Sequence, residues 1–145
     1  MYKHILIATD GSELAGKAIS VGFELARQLE SQVTVVTVTE PWTALVSGDA
    51  AFGFPIAEYE EAANESAISI LAGVSKLARK ASINCTTVHE KDQYPSEGIL
   101  QTANKNHCDL IVIASHGRRG LGRLLLGSVA AKVVTHSTVP VLVCR

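Results

Sequence analysis

The sequence predicts an α/β protein: an open parallel sheet of five strands in the order 3-2-1-4-5, with helices on both faces. Three observations predict it. Five short apolar or β-branched runs recur along the chain: HILIAT (4–9), QVTVVTVT (32–39), INCTTVHE (83–90), DLIVIAS (109–115) and VPVLVC (139–144). Segments with helical spacing of small and apolar residues separate them. Two of the runs, the first and the fourth, are apolar almost throughout, as in strands covered on both faces. Strands alternating with helices imply right-handed crossovers and a parallel sheet. The first and fourth strands are then neighbours where the winding reverses, and ligands of such sheets bind there, beyond the carboxyl ends of the strands.

Each element has its own local reason. Asp10-Gly11-Ser12 ends the first strand, and Ser12 is placed to cap the first helix. In that helix Ala15, Ala18, Ile19, Gly22, Leu25, Ala26 and Leu29 recur on one face, while Lys17, Glu24, Arg27 and Gln28 fall largely off it. The second run is β-branched and reads as a strand. Residues 40–57 hold Pro41, Gly48, Gly53 and Pro55 with Trp42, Phe52 and Phe54, and read as a long loop. A second helix is expected over about 56–81, with Tyr59, Ala63, Ser66, Ala67, Ile70, Val74, Leu77 and Ala78 inward. The third run alternates and suits a place nearer the sheet edge. Pro95 fits the first turn of a third helix, expected to run to about His107. The fourth helix is expected over 128–136, and the last strand follows.

Bulk properties narrow the class. The chain has 145 residues, the size of one domain (1–145), and 47% are hydrophobic. Net charge is −1, so no general attraction to nucleic acid or an anionic membrane is implied. Three cysteines without a CxxC pair fit neither a disulfide framework nor a zinc site. No apolar run is long enough to span a bilayer, and the N-terminus does not read as a signal peptide. A cytoplasmic protein is expected.

The stretch ASHGRRGLGRLLLGS (114–128) stands out, with four glycines, three arginines and no acidic residue. It lies between the fourth strand and the fourth helix. Gly127-Ser128 sits where the helix begins, and a helix N-terminus offers unpaired amides and a positive dipole end to phosphate. Gly117, just past the strand, allows the backbone to turn near a ligand. Arg118, Arg119 and Arg123 raise the local potential. The spacing from Gly122 to Gly127 is that of a P-loop, but Ser128 stands where the phosphate-contacting Lys belongs, so that motif fails. GxGxxG fails as well, because Leu125 follows Gly120 and Gly122 at the third glycine position.

A different pattern fits. Gly117-x9-Gly127-Ser128, with KHILIATDGS at the start, DLIVIASHGRRG before the loop, LLLGSVA after it and VPVLVCR at the end, resembles the universal stress protein family over essentially the whole chain. Nucleotide-binding members carry G-x2-G-x9-G-[S/T]; here the first glycine is replaced by Ala114, acceptable where the backbone stays extended. The resemblance implies a flavodoxin-like fold, a homodimer formed through the last strand (139–143), and binding of ATP or AMP. Carried over by position, it implies that Ala8, Thr9 and Asp10 line the ribose and phosphate side. Val38 would meet adenine through its backbone, and Ile113 and Ala114 would lie near base and ribose. Ser115, His116, Gly117 and Arg118 would begin the phosphate loop, and Gly127, Ser128 and Val129 would hold phosphates. Asp10 is also the candidate ligand of a magnesium ion carried with the nucleotide.

The remaining residues are weaker signals. His116 has no evident catalytic partner and reads as structural or ligand-facing. His4, His89, His107 and His136 show no ligand spacing. Trp42, Phe52 and Phe54 read either as a partner-binding lid or as local packing. With no positioned nucleophile or general base, the expected function is a nucleotide-dependent regulatory module of the stress response, hydrolysing ATP slowly at most. The alternative is a nucleotide-independent dimeric interaction protein of the same fold.

Overall fold

The computed structural model describes residues 1–117 and 125–145. Its elements are β1 (His4–Ala8), α1 (Glu13–Leu29), β2 (Gln32–Thr39), α2 (Ile56–Lys80), β3 (Cys85–Lys91), α3 (Pro95–Lys105), β4 (Leu110–Ala114), α4 (Ser128–His136) and β5 (Val141–Cys144). Two short 3-10 turns, Trp42–Ala44 and Gly48–Ala51, occupy the segment between β2 and α2. All strand pairs are parallel and the sheet order is β3-β2-β1-β4-β5, the flavodoxin-like arrangement the sequence predicts.

The sheet divides the core in two. On one face Ile5, Ile7, Val33, Val35 and Val112 meet Ala18, Ile19, Phe23 and Ala26 of α1 and Val74 and Ala78 of α2. On the other, Leu6, Val36, Ile111 and Ile113 meet Ile99 and Ala103 of α3 and Ala130 and Val133 of α4. Strand alternation explains this split, since successive side chains point to opposite faces. Residues 5–8 and 110–114 are buried throughout, as expected for central strands.

Several expectations shift by a residue or two. Strand ends retract: β1 stops at Ala8, β4 at Ala114, and β5 begins at Val141 because Pro140 has no amide to give. On α1, Phe23 is buried although its spacing did not single it out, while Leu25 and Leu29 are half-buried. On α2, only Ala67, Val74 and Ala78 are buried; Ser66 and Leu77 face outward. A 25-residue helix overruns the short sheet it crosses, so its inward stripe narrows.

Trp42 and Phe54 stack with ring centroids 5.5 Å apart, and Phe54 meets Tyr59 of α2 at 6.1 Å. The Tyr59 hydroxyl donates to the Glu40 carbonyl at 2.7 Å. Local packing therefore accounts for Trp42 and Phe54, whereas Phe52 is 90% exposed.

Candidate functional site

The carboxyl ends of β1 and β4 meet at the winding reversal. At the β1 end, the Thr9 amide donates to the Val36 carbonyl, closing the β1–β2 ladder. The chain then turns sharply through Gly11, which has φ 79°. The Ser12 amide donates to Asp10 Oδ1 at 2.9 Å, and Ser12 Oγ caps α1 by accepting from the Ala15 amide. These bonds hold the Asp10 carboxylate at the strand end. Thr9 is buried and Asp10 partly exposed.

Beyond β4, Ser115 is buried and held from both sides. Its amide donates to the Cys144 carbonyl at 2.7 Å, and its carbonyl accepts from the Gly127 amide at 2.7 Å. Ser115 Oγ lies 2.9 Å from His116 Nδ1. His116 Nε2 is buried without a hydrogen-bonding partner among the described residues, a costly arrangement that invites a polar partner.

Two glycines draw the segments together. A Cβ on Gly117 would lie 2.5 Å from Asp10 Oδ2, so the β4 loop passes directly over the carboxylate presented by β1. A Cβ on Gly127 would lie 2.8 Å from the Ser115 carbonyl oxygen, so the start of α4 rests on the β4 exit. Both are sites of close approach and neither has a positive φ. The sequence reading gave the Gly127 amide to a phosphate, but in this structure it is bonded to Ser115. The groups left at the head of α4 are the amides and hydroxyl of its first turn: among the described residues no side chain caps the helix, and Ser128 is exposed.

Ala114, where the family pattern has glycine, is an extended strand residue paired with Cys144, so no left-handed backbone is required of it. Ile113 and Ala114 are 6% and 7% exposed and point to opposite faces of the sheet, which leaves their backbone to face the strand ends. Val129 is half-buried in the first turn of α4 and Ala8 closes β1. Arg118, with Arg119 and Arg123, lies outside the described residues.

Val38 sits where β2 outruns its neighbour. β1 pairs with β2 only as far as Ala8 opposite Val36, whereas β2 continues beside β3 to Thr39 opposite Lys91. The Val36 carbonyl points to β1, and backbone direction alternates along a strand, so the Val38 amide and carbonyl also point to the β1 side. They open onto the notch above Thr9 and Asp10. Among the described residues, no group of three His, Cys, Asp or Glu side chains is placed to hold a metal ion. A single carboxylate such as Asp10 suits a magnesium ion that takes its other ligands from phosphates and water.

The remaining titratable groups lie elsewhere. Burial pushes the Cys85 and Cys108 thiols up to about 11 and also raises Cys144, so all three remain protonated, unreactive thiols at neutral pH. His89 Nε2 lies 2.6 Å from Thr39 Oγ1 and His4 Nε2 lies 2.8 Å from Thr34 Oγ1, both serving the sheet. A groove of about 330 Å³ between α1 and the end of α2, lined by Ile19, Phe23, Leu77 and Ile83, is near the opposite ends of the strands.

The model of the universal stress protein family matches residues 1–145. The chain belongs to the universal stress protein family. A universal stress protein of Thermus aquaticus is 33% identical over 150 residues, and YxiE of Bacillus subtilis is 29% identical over 152; both matches cover 100% of each chain. Among solved structures, UspA from Lactobacillus plantarum has a TM-score of 0.83 at 21% identity, covering 99% of this chain and 98% of that one. A universal stress protein family protein from Arabidopsis thaliana, solved with AMP bound, has a TM-score of 0.70 at 16% identity, covering 98% and 90%. A universal stress protein solved in complex with cAMP has a TM-score of 0.74 at 22% identity, covering 99% and 97%.

Proposed function

We propose that this universal stress protein holds an adenine nucleotide, ATP or AMP, at the β1–β4 switch point and acts as a nucleotide-dependent regulatory module in the cytoplasm. The observation that carries the reading is the convergence on one notch of the Asp10 carboxylate, the Gly117 backbone and the uncapped head of α4. The relatives solved with AMP and with cAMP support the ligand class. The base lies against the Val38 backbone, whose amide and carbonyl match the acceptor and donor on the amino edge of adenine. The ribose lies over Ala8, Thr9, Ile113 and Ala114. The phosphates run across Ser115, His116, Gly117 and Arg118 to Gly127, Ser128 and Val129. His116 Nε2 gains a phosphate partner, and Asp10 would hold a magnesium ion carried with the nucleotide, which would offset phosphate charge. Any hydrolysis is slow at most. The protein acts as a homodimer paired through β5.

Gly127 is a poor probe of this reading, because any side chain there strikes the Ser115 carbonyl. Ser128 is a better one, being exposed on the first helical position. Ser128→Asp adds a negative charge that favours the helix N-terminus, by about 0.3–1 kcal/mol, while repelling a phosphate. The expected result is unchanged or raised thermal stability with ATP affinity lowered roughly tenfold or more by calorimetry. Wild-type affinity in this variant sinks the phosphate placement. Mass spectrometry of nucleotide released from freshly purified, denatured protein identifies the occupant, and finding none there, with no thermal shift on adding ATP, favours the nucleotide-independent alternative.

A further inference from the structure

We infer that Gly98 is a positioning residue for the base: it sets where the Val38 backbone stands at the open end of β2. The inference rests on the adenine-nucleotide reading above and adds a residue on the opposite side of the sheet edge from the ligand. A Cβ on Gly98 would lie 2.8 Å from both Val38 Cγ1 and Cγ2, and 3.4 Å from Gln93 Cβ. The α3 helix thus rests its backbone directly on the two methyls of Val38.

Rotation of Val38 does not relieve an added methyl. The two methyls occupy two of the three staggered positions on Cβ, and both occupied positions clash. Whichever rotamer is chosen, at least one of those two positions stays filled. The strain therefore passes to the backbone of either α3 or β2. Around Gly98, α3 is fastened by Ile99 and Ala103 in the core and by fully buried Thr102, whose hydroxyl is placed to donate to Glu90 Oε1 of β3 at 3.3 Å. The end of β2 has a ladder on its β3 side only, because β1 has stopped at Ala8. The strand end is the softer partner. Val38 moves, and with it the amide and carbonyl that face the notch.

The test is a cycle of Gly98→Ala, Val38→Ala and the double variant. Removing the Val38 methyls opens the space that the new methyl needs, and leaves the backbone groups in place. Gly98→Ala is expected to weaken AMP binding ~tenfold while leaving inorganic tripolyphosphate binding as in the wild type. Whatever Val38→Ala itself does to AMP binding, the double variant is expected to bind AMP as tightly as Val38→Ala, because the methyls that the new side chain strikes are gone. In parallel, the Val38 amide resonance of the nucleotide-free protein shifts in Gly98→Ala, measured against the resonances of α3. If Gly98→Ala alone fails to fold, a folded double variant with the affinity of Val38→Ala carries the same conclusion, and an unfolded one overturns it. Unchanged AMP affinity in folded Gly98→Ala overturns the inference, as does a double variant that binds AMP ~tenfold more weakly than Val38→Ala. A wild-type protein that binds no adenine nucleotide overturns the proposed function instead; the Val38 resonance then decides the mechanical link alone, and an unmoved resonance overturns that as well.

Discussion

At the scale of single residues, the glycines mark where the site closes on itself. The sequence singles out Gly117 and Gly127 by their spacing and reads them as points where a chain turns near phosphates. Space is what they provide: Gly117 clears the Asp10 carboxylate and Gly127 clears the Ser115 carbonyl. That role was illegible because the crowding atoms arrive from elsewhere in the fold, Asp10 from the opposite end of the chain. Ala114 shows the converse. It stands where the family pattern has glycine, and the extended strand backbone removes the need for glycine there. Gly117→Ala pushes a methyl against Asp10 Oδ2, and the carboxylate must swing off the notch. Since Asp10 and Gly117 are not in the core, thermal unfolding is expected to change by no more than about 1 kcal/mol. ATP affinity measured with magnesium is expected to drop about tenfold, and an unaltered value would remove Asp10 from the ligand's surroundings.

At the scale of elements, the two central strands are latched at both ends. Beyond their carboxyl ends lies the candidate site. At their amino ends, Asp109 accepts from the Lys3 amide at 2.8 Å and the His4 amide at 3.1 Å, and its own amide donates to the His4 carbonyl. Partial burial raises the Asp109 carboxyl, but the Lys3 and His4 amides outweigh this and bring it below its ordinary 3.8. A carboxylate lowered in the folded state stabilises the fold fully above its unfolded value, and that contribution is lost as pH falls through the folded value. Asp109→Asn keeps one acceptor oxygen and loses the other together with the charge. It is expected to cost about 1–2 kcal/mol at pH 7 and less at pH 3, as read by urea unfolding. An equal cost at both pH values would show that the charge contributes nothing. The sequence predicts β1 and β4 as adjacent strands from their apolar character and the winding rule, but this latch depends on Asp109 preceding β4 by one residue and has no periodic signature. Helix placement was legible for the same reason that strand placement was, through spacing. The narrowed inner stripe of α2 was not, because how far a helix overhangs its sheet depends on the lengths of elements distant in sequence.

At the scale of the whole molecule, the sheet ends on an edge whose form decides how two copies would meet in the proposed dimer. The Ile111 amide donates to the Pro140 carbonyl, so the backbone of Pro140, Leu142 and Cys144 points to β4 and that of Val141 and Val143 points outward. Pro140 therefore withholds its missing amide from the inner ladder, and the outer edge keeps its donors. An antiparallel pairing about a two-fold axis through Leu142 sets Val141 of each copy against Val143 of the other, in two hydrogen-bonded pairs. Leu142 then faces its own counterpart as the non-hydrogen-bonded pair, with Cα atoms about 4.5 Å apart, the closer of the two spacings. Leu142 is 38% exposed in the single chain, and this pairing covers it. The arrangement is isologous, as a closed dimer requires. Leu142→Lys places two ammonium groups side by side at the axis while adding no charge to the core. It is expected to convert a dimer to a monomer by light scattering at micromolar concentration, with the fold retained by circular dichroism. A Leu142→Lys protein that stays dimeric puts the contact on another face, and a wild-type monomer at the same concentration removes the dimer altogether.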